Sequence, residues 1–273
     1  MQISANQTGR GRVTDAIALA SRRTGMDFGY LLGQAKIESS LNPTAKASTS
    51  SATGLYQFID QSWLAVVDQH GSEYGLGWAS DAIQQGANGR YYVSDPELRQ
   101  QILDLRNHPE TASVMAAEHA ADNKAYLESR TGREAEPVDL YLAHFLGVGG
   151  ASKFLQTYNS NPQASAASLF PSAARANYSV FYDKTGAARS LADIRENFAA
   201  KLERGVQSAL GQTGGSGWAA ATDAMPATRT VQPADYVRVE TERLQQSISA
   251  DDLVRPQPAT ARLAYLMLAT FGR

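Results

Sequence analysis

The chain has no cysteine, and that absence removes disulfides, thiolate zinc sites and cysteine nucleophiles together. It suits an oxidising compartment, where a free thiol is a liability, without identifying one. Neither sign of charge is in excess. The 25 Lys and Arg stand against 27 Asp and Glu, a formal net charge of −2, so no overall field draws the chain to nucleic acid or to anionic lipid. Nucleic acid is not an expected partner. Long apolar runs are missing too: the best candidate, Leu263 to Phe271, falls far short of the roughly 20 residues a bilayer requires. No membrane span is expected. The start, Met1 to Arg12, is polar, carries Arg10 and Arg12, and lacks the apolar stretch of a secretion signal. Such a start fits a chain whose signal has been removed, one exported by another route, or one that stays inside.

What is present reads as globular. With 43% hydrophobic and 19% charged residues the chain is too apolar for disorder, and 273 residues can bury a core without staples or metals. Period-2 alternation is nearly absent, while helical spacing recurs from Val13 to about Leu210. Val13, Ile17 and Ala20 form one apolar stripe after Thr14, read as a cap. Asp27 caps a second helix carrying Phe28, Leu31, Leu32, Ala35 and Leu41, which Asn42-Pro43 stops. Asp60 or Ser62 opens another through Trp63, Ala65 and Val66, with Gly71 at its end. Further helices are expected over 95–105, 111–130, 137–145 and 190–210, and a short strand at Tyr91 to Val93. After Leu210 the composition shifts to Gly, Ala, Thr and Ser, as in a flexible linker. The expected organisation is mainly α: a domain over 10–210, a linker over 211–232 and a helical tail over 233–273 that docks on something. No repeat of roughly 20 to 50 residues is visible, so solenoids and propellers are not supported.

The most informative stretch is Glu38-Ser39-Ser40-Leu41-Asn42-Pro43, followed after a small polar loop by Gly54-Leu55-Tyr56-Gln57-Phe58. At helical spacing Leu31, Ala35 and Glu38 share a face, so a carboxyl sits among core residues. Glu38 also lies in a last helical turn, where unpaired carbonyls concentrate negative charge. Desolvation and that field both disfavour the carboxylate, and a retained proton is what a general acid needs. A lone glutamate at a helix end is ordinarily a surface or ion-paired residue, and the neighbours change that balance. The sharp turn at Asn42-Pro43, the small-residue loop, and the amide and ring of Gln57 and Tyr56 describe a cleft lip with polar donors and a stacking face, suited to a sugar.

These residues resemble the lytic transglycosylases of the soluble type, whose lysozyme-like domain cleaves bacterial peptidoglycan. The matching pieces are Glu38-Ser39, Asn42-Pro43, Ala45 and Gly54-Leu55-Tyr56-Gln57, in family order. The resemblance extends more loosely to Tyr141-Leu142-Ala143-His144-Phe145-Leu146-Gly147, where the family usually shows Ala-Tyr-Asn-Ala-Gly. Departures are Ser51-Ala52 for the usual Gly-Ala, a loop about one residue longer, Tyr56 for the usual methionine, and His144-Phe145 for tyrosine and asparagine. The resemblance implies a mainly α, lysozyme-like fold, Glu38 as the catalytic residue, and substrate contacts by Ser39, Ser51, Tyr56, Gln57 and by Tyr141 or His144. It implies glycan strands of peptidoglycan as the partner, no cofactor and no metal, and a place in the periplasm or cell envelope. The tail would be the part that meets an envelope-apparatus partner. Two alternatives stand beside this reading: a lysozyme-type hydrolase, with Asp60, Asp68 or Glu118 as second carboxylate, and a non-catalytic wall-binding or assembly accessory.

Other patterns fail on their chemistry. His70, His108, His119 and His144 form no HExxH or HxxEH arrangement, which disfavours zinc. Gly147-Val148-Gly149-Gly150-Ala151-Ser152 approaches a dinucleotide fingerprint but follows a helical pattern and is read as a helix-ending turn. Asp60 reads as a cap, Glu118, beside His119, as a solvated or structural pair or a residue lining the cleft, and Trp63 as core. Gly214-Gly215-Ser216-Gly217 is linker, because a nucleophile elbow needs glycine where Trp218 stands.

Overall fold

The structure is a computed structural model that describes residues 3–212, with side chains described from 11 to 211. The tail expected over 233–273, and all but the first two residues of the expected linker, lie outside the described residues. Within them the chain is mainly helical, with one two-stranded hairpin.

Helix α1 (Ile3–Thr24) begins ahead of the expected boundary, so Thr14 sits inside it rather than at its cap. The stripe of Val13, Ile17 and Ala20 is buried as its spacing requires, and α1 lies along α6 (Pro109–Thr131). Helix α2 (Phe28–Ser39) starts where the Asp27 carboxylate accepts from the Tyr30 N–H at 2.6 Å. It stops before Asn42-Pro43. Ser40 and Leu41 both take left-handed backbone, with φ of 54° and 64°, a conformation non-glycine residues adopt at a cost of about 1–2 kcal/mol each. The Leu41 side chain is 4% exposed, and its burial offsets part of that cost.

A loop crosses back through isolated bridges pairing Lys46 with Thr53 and Thr53 with Phe58, and leads into α3 (Asp60–His70). A 3-10 turn (Gly71–Tyr74) and short α4 (Gly77–Ser80) follow. The hairpin of β1 (Gln84–Gln85) and β2 (Tyr91–Tyr92) is antiparallel, with Gln84 opposite Tyr92. The expected strand at Tyr91 is therefore present as one arm of that hairpin. Helix α5 (Pro96–Asp104) is capped by Asp95 and carries proline in its first turn, the position where proline's missing N–H costs nothing.

Gly147, at φ 73°, separates α7 (Pro137–Leu146) from α8 (Val148–Ser160). The turn expected over 147–152 is thus one residue long, and the rest of that segment opens a helix. Three short helices, α9 (Ala166–Leu169), α10 (Pro171–Ala176) and α11 (Tyr178–Phe181), precede α12 (Leu191–Gln212). Helix α12 continues through the first two residues assigned to a linker.

Two features of the packing position the site. Trp63 is fully buried, donates to the Ile102 carbonyl at 2.7 Å and meets Phe58 edge to face, which ties α3 to α5 at the centre of the core. Helices α2 and α12 cross where glycine faces glycine: a methyl group at Gly205 would stand 3.1 Å from the Gly33 carbonyl oxygen, and one at Gly33 would stand 3.0 Å from Val206. Only a missing Cβ on each side allows the backbones this close.

Candidate functional site

Glu38 leaves the last turn of α2, one helical turn from the buried Ala35, with its side chain 19% exposed. The core face of α2 aims it inward, while the end of the helix keeps it in reach of solvent. Two groups from α7 meet the same carboxyl oxygen: the Tyr141 hydroxyl donates to Oε1 at 3.5 Å, and His144 Nε2 lies 3.3 Å from it. Tyr141 and His144 stand three apart and so share a face of α7. Oε2 takes no part in either contact.

The phenol has a second partner. Lys201 of α12 donates from Nζ to the Tyr141 hydroxyl at 3.1 Å, with its ammonium 5.5 Å from the ring centroid. Burial pushes the Tyr141 phenol above its ordinary range, and the charge of Glu38 and the hydrogen bond to it push the same way. Tyr141 therefore stays protonated as a donor. Tyr30, in the first turn of α2, is also buried; its phenol is raised by burial first and then by Tyr56, Tyr141 and Glu38. Glu38 thus acts on two buried, protonated tyrosines, Tyr141 and Tyr30. His119 of α6 packs edge to face on Phe58, its centroid 5.9 Å away, and burial, aided by nearby His144, lowers its pKa.

Of the other residues expected to contact substrate, Ser39 and Gln57 are bonded to neighbouring carbonyls, Tyr56 is buried and Ser51 is exposed. The Ser39 hydroxyl donates to the Leu55 carbonyl at 2.8 Å, pinning the end of α2 to the loop. Gln57, at φ 50°, gives its side-chain N–H groups to the Ala45 and Gly54 carbonyls at 3.2 and 2.9 Å. Tyr56 is 1% exposed and offers no stacking face; it fills the core beside α6, where its buried hydroxyl faces that of Ser113. Ser51 is exposed on the loop, where its hydroxyl accepts from the Asp60 N–H at 3.2 Å and its carbonyl from Arg106 at 2.9 Å. Ser39 and Gln57 therefore brace the lip through its own carbonyls, and Tyr56 packs in the core.

The expected cap role of Asp60 is not observed. It occupies the first turn of α3 without capping it, and its carboxylate is instead taken by Arg99 at 2.6 Å and Arg106 at 2.9 Å. Glu118 accepts from the Tyr74 hydroxyl and faces His70 Nδ1 at 3.8 Å, so it is structurally paired. Asp68 is exposed. Under the hairpin lies a separate open cavity of about 590 Å³, lined by Gln61, Asn88, Arg90, Tyr91, Tyr92 and Arg99 among others, to which Glu38 does not contribute.

Sequence reasoning missed Lys201 and Tyr30. Tyr30 follows the Asp27 cap and shares a helix with Glu38, so its burial could have been read from the apolar spacing around Leu31. Lys201 carried no such signal, being one basic residue in an amphipathic helix 163 positions away. Among the described residues no group of three or more His, Asp or Glu side chains could hold a metal ion. No protein-family model matches the chain.

Proposed function

We propose that the chain is a lysozyme-like lytic transglycosylase of the periplasm or cell envelope. It would cleave the MurNAc–GlcNAc β-1,4 bond of peptidoglycan, with Glu38 acting first as acid and then as base. The observation that carries this reading is the setting of Glu38. Its carboxyl is mostly buried at a helix end and is steadied through Oε1 by a phenol and an imidazole, which leaves Oε2 to exchange a proton with substrate. Of the three carboxylates a two-carboxylate hydrolase would draw on, Asp60 and Glu118 are committed to arginine and to tyrosine and histidine, and Asp68 is exposed on α3.

The chemistry follows from one carboxyl group. Protonated Glu38 gives its proton to the glycosidic oxygen as the C1–O4 bond breaks, and the MurNAc N-acetyl carbonyl oxygen closes on C1 to hold the positive charge. Glu38, now a carboxylate, accepts the proton of the C6 hydroxyl as O6 bonds to C1 and the acetyl oxygen departs. The products are a free O4 hydroxyl and a 1,6-anhydro end, with no water consumed and Glu38 restored to its acid form. Tyr141 donates to Oε1 in both stages and keeps the carboxyl from rotating between them.

Digestion of purified peptidoglycan, read by mass spectrometry, tests the proposal. The parent should release anhydro-ended fragments, and Glu38→Gln should lower release by about a thousandfold or more, the loss expected for removing the sole proton donor. Reducing ends would replace the transglycosylase with a lysozyme-type hydrolase. No release from the folded parent would replace it with a wall-binding module.

A further inference from the structure

We infer that Lys201 is a positioning residue for Glu38, acting through the Tyr141 phenol; this rests on the function proposed above. A phenol oxygen can accept as well as donate, and its single proton can swing about the C–O bond to either use. Lys201 Nζ, 3.1 Å away, is a donor only. By occupying the phenol's lone pair it leaves the Tyr141 proton one productive direction, toward Glu38 Oε1 at 3.5 Å.

The backbone makes the arrangement specific. Gly205 and Gly33 fix the crossing of α12 on α2. Lys201 lies one turn before Gly205, and Glu38 lies a turn and a half beyond Gly33, so the two charged side chains emerge on the same side of one contact. Tyr141 comes from between them, with its ring edge to face on Phe198, one turn before Leu202. Three elements thus converge on one phenol, and Phe198 and Lys201, three apart on α12, grip its ring and its hydroxyl. Lys201 itself is exposed, so its effect is that of a single charge-assisted hydrogen bond beside solvent, not of a buried ion pair.

The test uses the full chain as Lys201→Met and Lys201→Arg, with melting temperatures to verify folding. In anhydro-end release, Lys201→Met should lower kcat about three- to tenfold, the range for one such hydrogen bond, with KM unchanged, and Lys201→Arg should recover most of the loss. In the free protein, the Tyr141 hydroxyl proton should give a slowly exchanging low-field NMR resonance that Lys201→Met abolishes and Tyr141→Phe identifies. That resonance can be read whether or not the chain cleaves glycan, so a parent that releases nothing sinks the function and leaves this inference to the spectrum. An unchanged resonance in Lys201→Met overturns it. So does a raised KM at constant kcat, which would make Lys201 a substrate contact.

Discussion

Replacing Arg106 by methionine should cost far more than its place at a helix end suggests. Arg106 follows α5 in a short 3-10 turn, its side chain is 7% exposed, and burial, the dominant influence on it, disfavours its charge. It offsets that cost through four acceptors: Nε donates to the Leu103 carbonyl, and Nη1 shares its two protons among the Ser51 carbonyl, the Phe58 carbonyl and Asp60, all at 2.9 Å. Methionine keeps much of the volume and none of the donors. It leaves Asp60 with Arg99 alone and removes one of two donors from each of the Ser51 and Phe58 carbonyls, which keep only Thr53. Breaking a buried charge network of this kind costs about 3–5 kcal/mol. With a urea dependence of about 2–3 kcal/mol per molar for a domain of this size, the unfolding midpoint should fall by about 1–2.5 M. Urea titration followed by circular dichroism measures it. A midpoint that moves by less than about 0.3 M at unchanged slope would refute the claim that this guanidinium holds the loop. Lysine at the same position should recover only part of the loss, because it has no second nitrogen for Leu103.

Gly54→Ala should destabilise by about 2–5 kcal/mol, summing the left-handed backbone cost and an overpacked contact. Gly54 has φ 84°, and a Cβ there would lie 2.0 Å from the Arg106 carbonyl oxygen; an unchanged melting temperature would contradict the close approach. His119 makes stability depend on acid. Burial holds its folded pKa below the ordinary 6.5, so the unfolded chain takes up a proton first as pH falls. Stability contributed by the neutral ring is complete above about 6.5 and is lost as pH drops toward the lower folded value. Urea midpoints measured between pH 7.5 and 4.5 should therefore fall less steeply in His119→Gln than in the parent, and parallel curves would count against the buried neutral ring.

The helices were legible where spacing and capping agree. Asp27 and Asp95 cap as short polar side chains ahead of apolar stripes should, and Pro109 and Pro137 occupy first turns. Asp60 misled because a carboxylate at a helix start has two uses, and the second, pairing with Arg99 and Arg106, depends on residues 39 and 46 positions away. Glycine misled in the same way. Gly147, Gly149 and Gly150 read as a turn, yet only Gly147 needs positive φ, and the others enter α8 because its packing outweighs their poor propensity. At the candidate site Glu38 was legible as a polar residue on a core face. The orientation of Ser39, Tyr56 and Gln57 was not, because whether a hydroxyl or amide serves a ligand or a neighbouring carbonyl is decided by loop backbone that no local pattern encodes. Lys201 is the extreme case: its partner is fixed by how α12 crosses α2, a tertiary fact.

The meeting of Gly33 with Gly205 makes a fulcrum. From it, Glu38 is carried on an arm of about 7.5 Å and Lys201 on one of about 6 Å, at 1.5 Å of helix per residue. No compressible side chain lies between the two backbones at that point, so a tilt of α12 cannot be absorbed locally and is passed along α2 as a change of angle. The distance from ammonium to carboxyl is in effect geared to the attitude of α12.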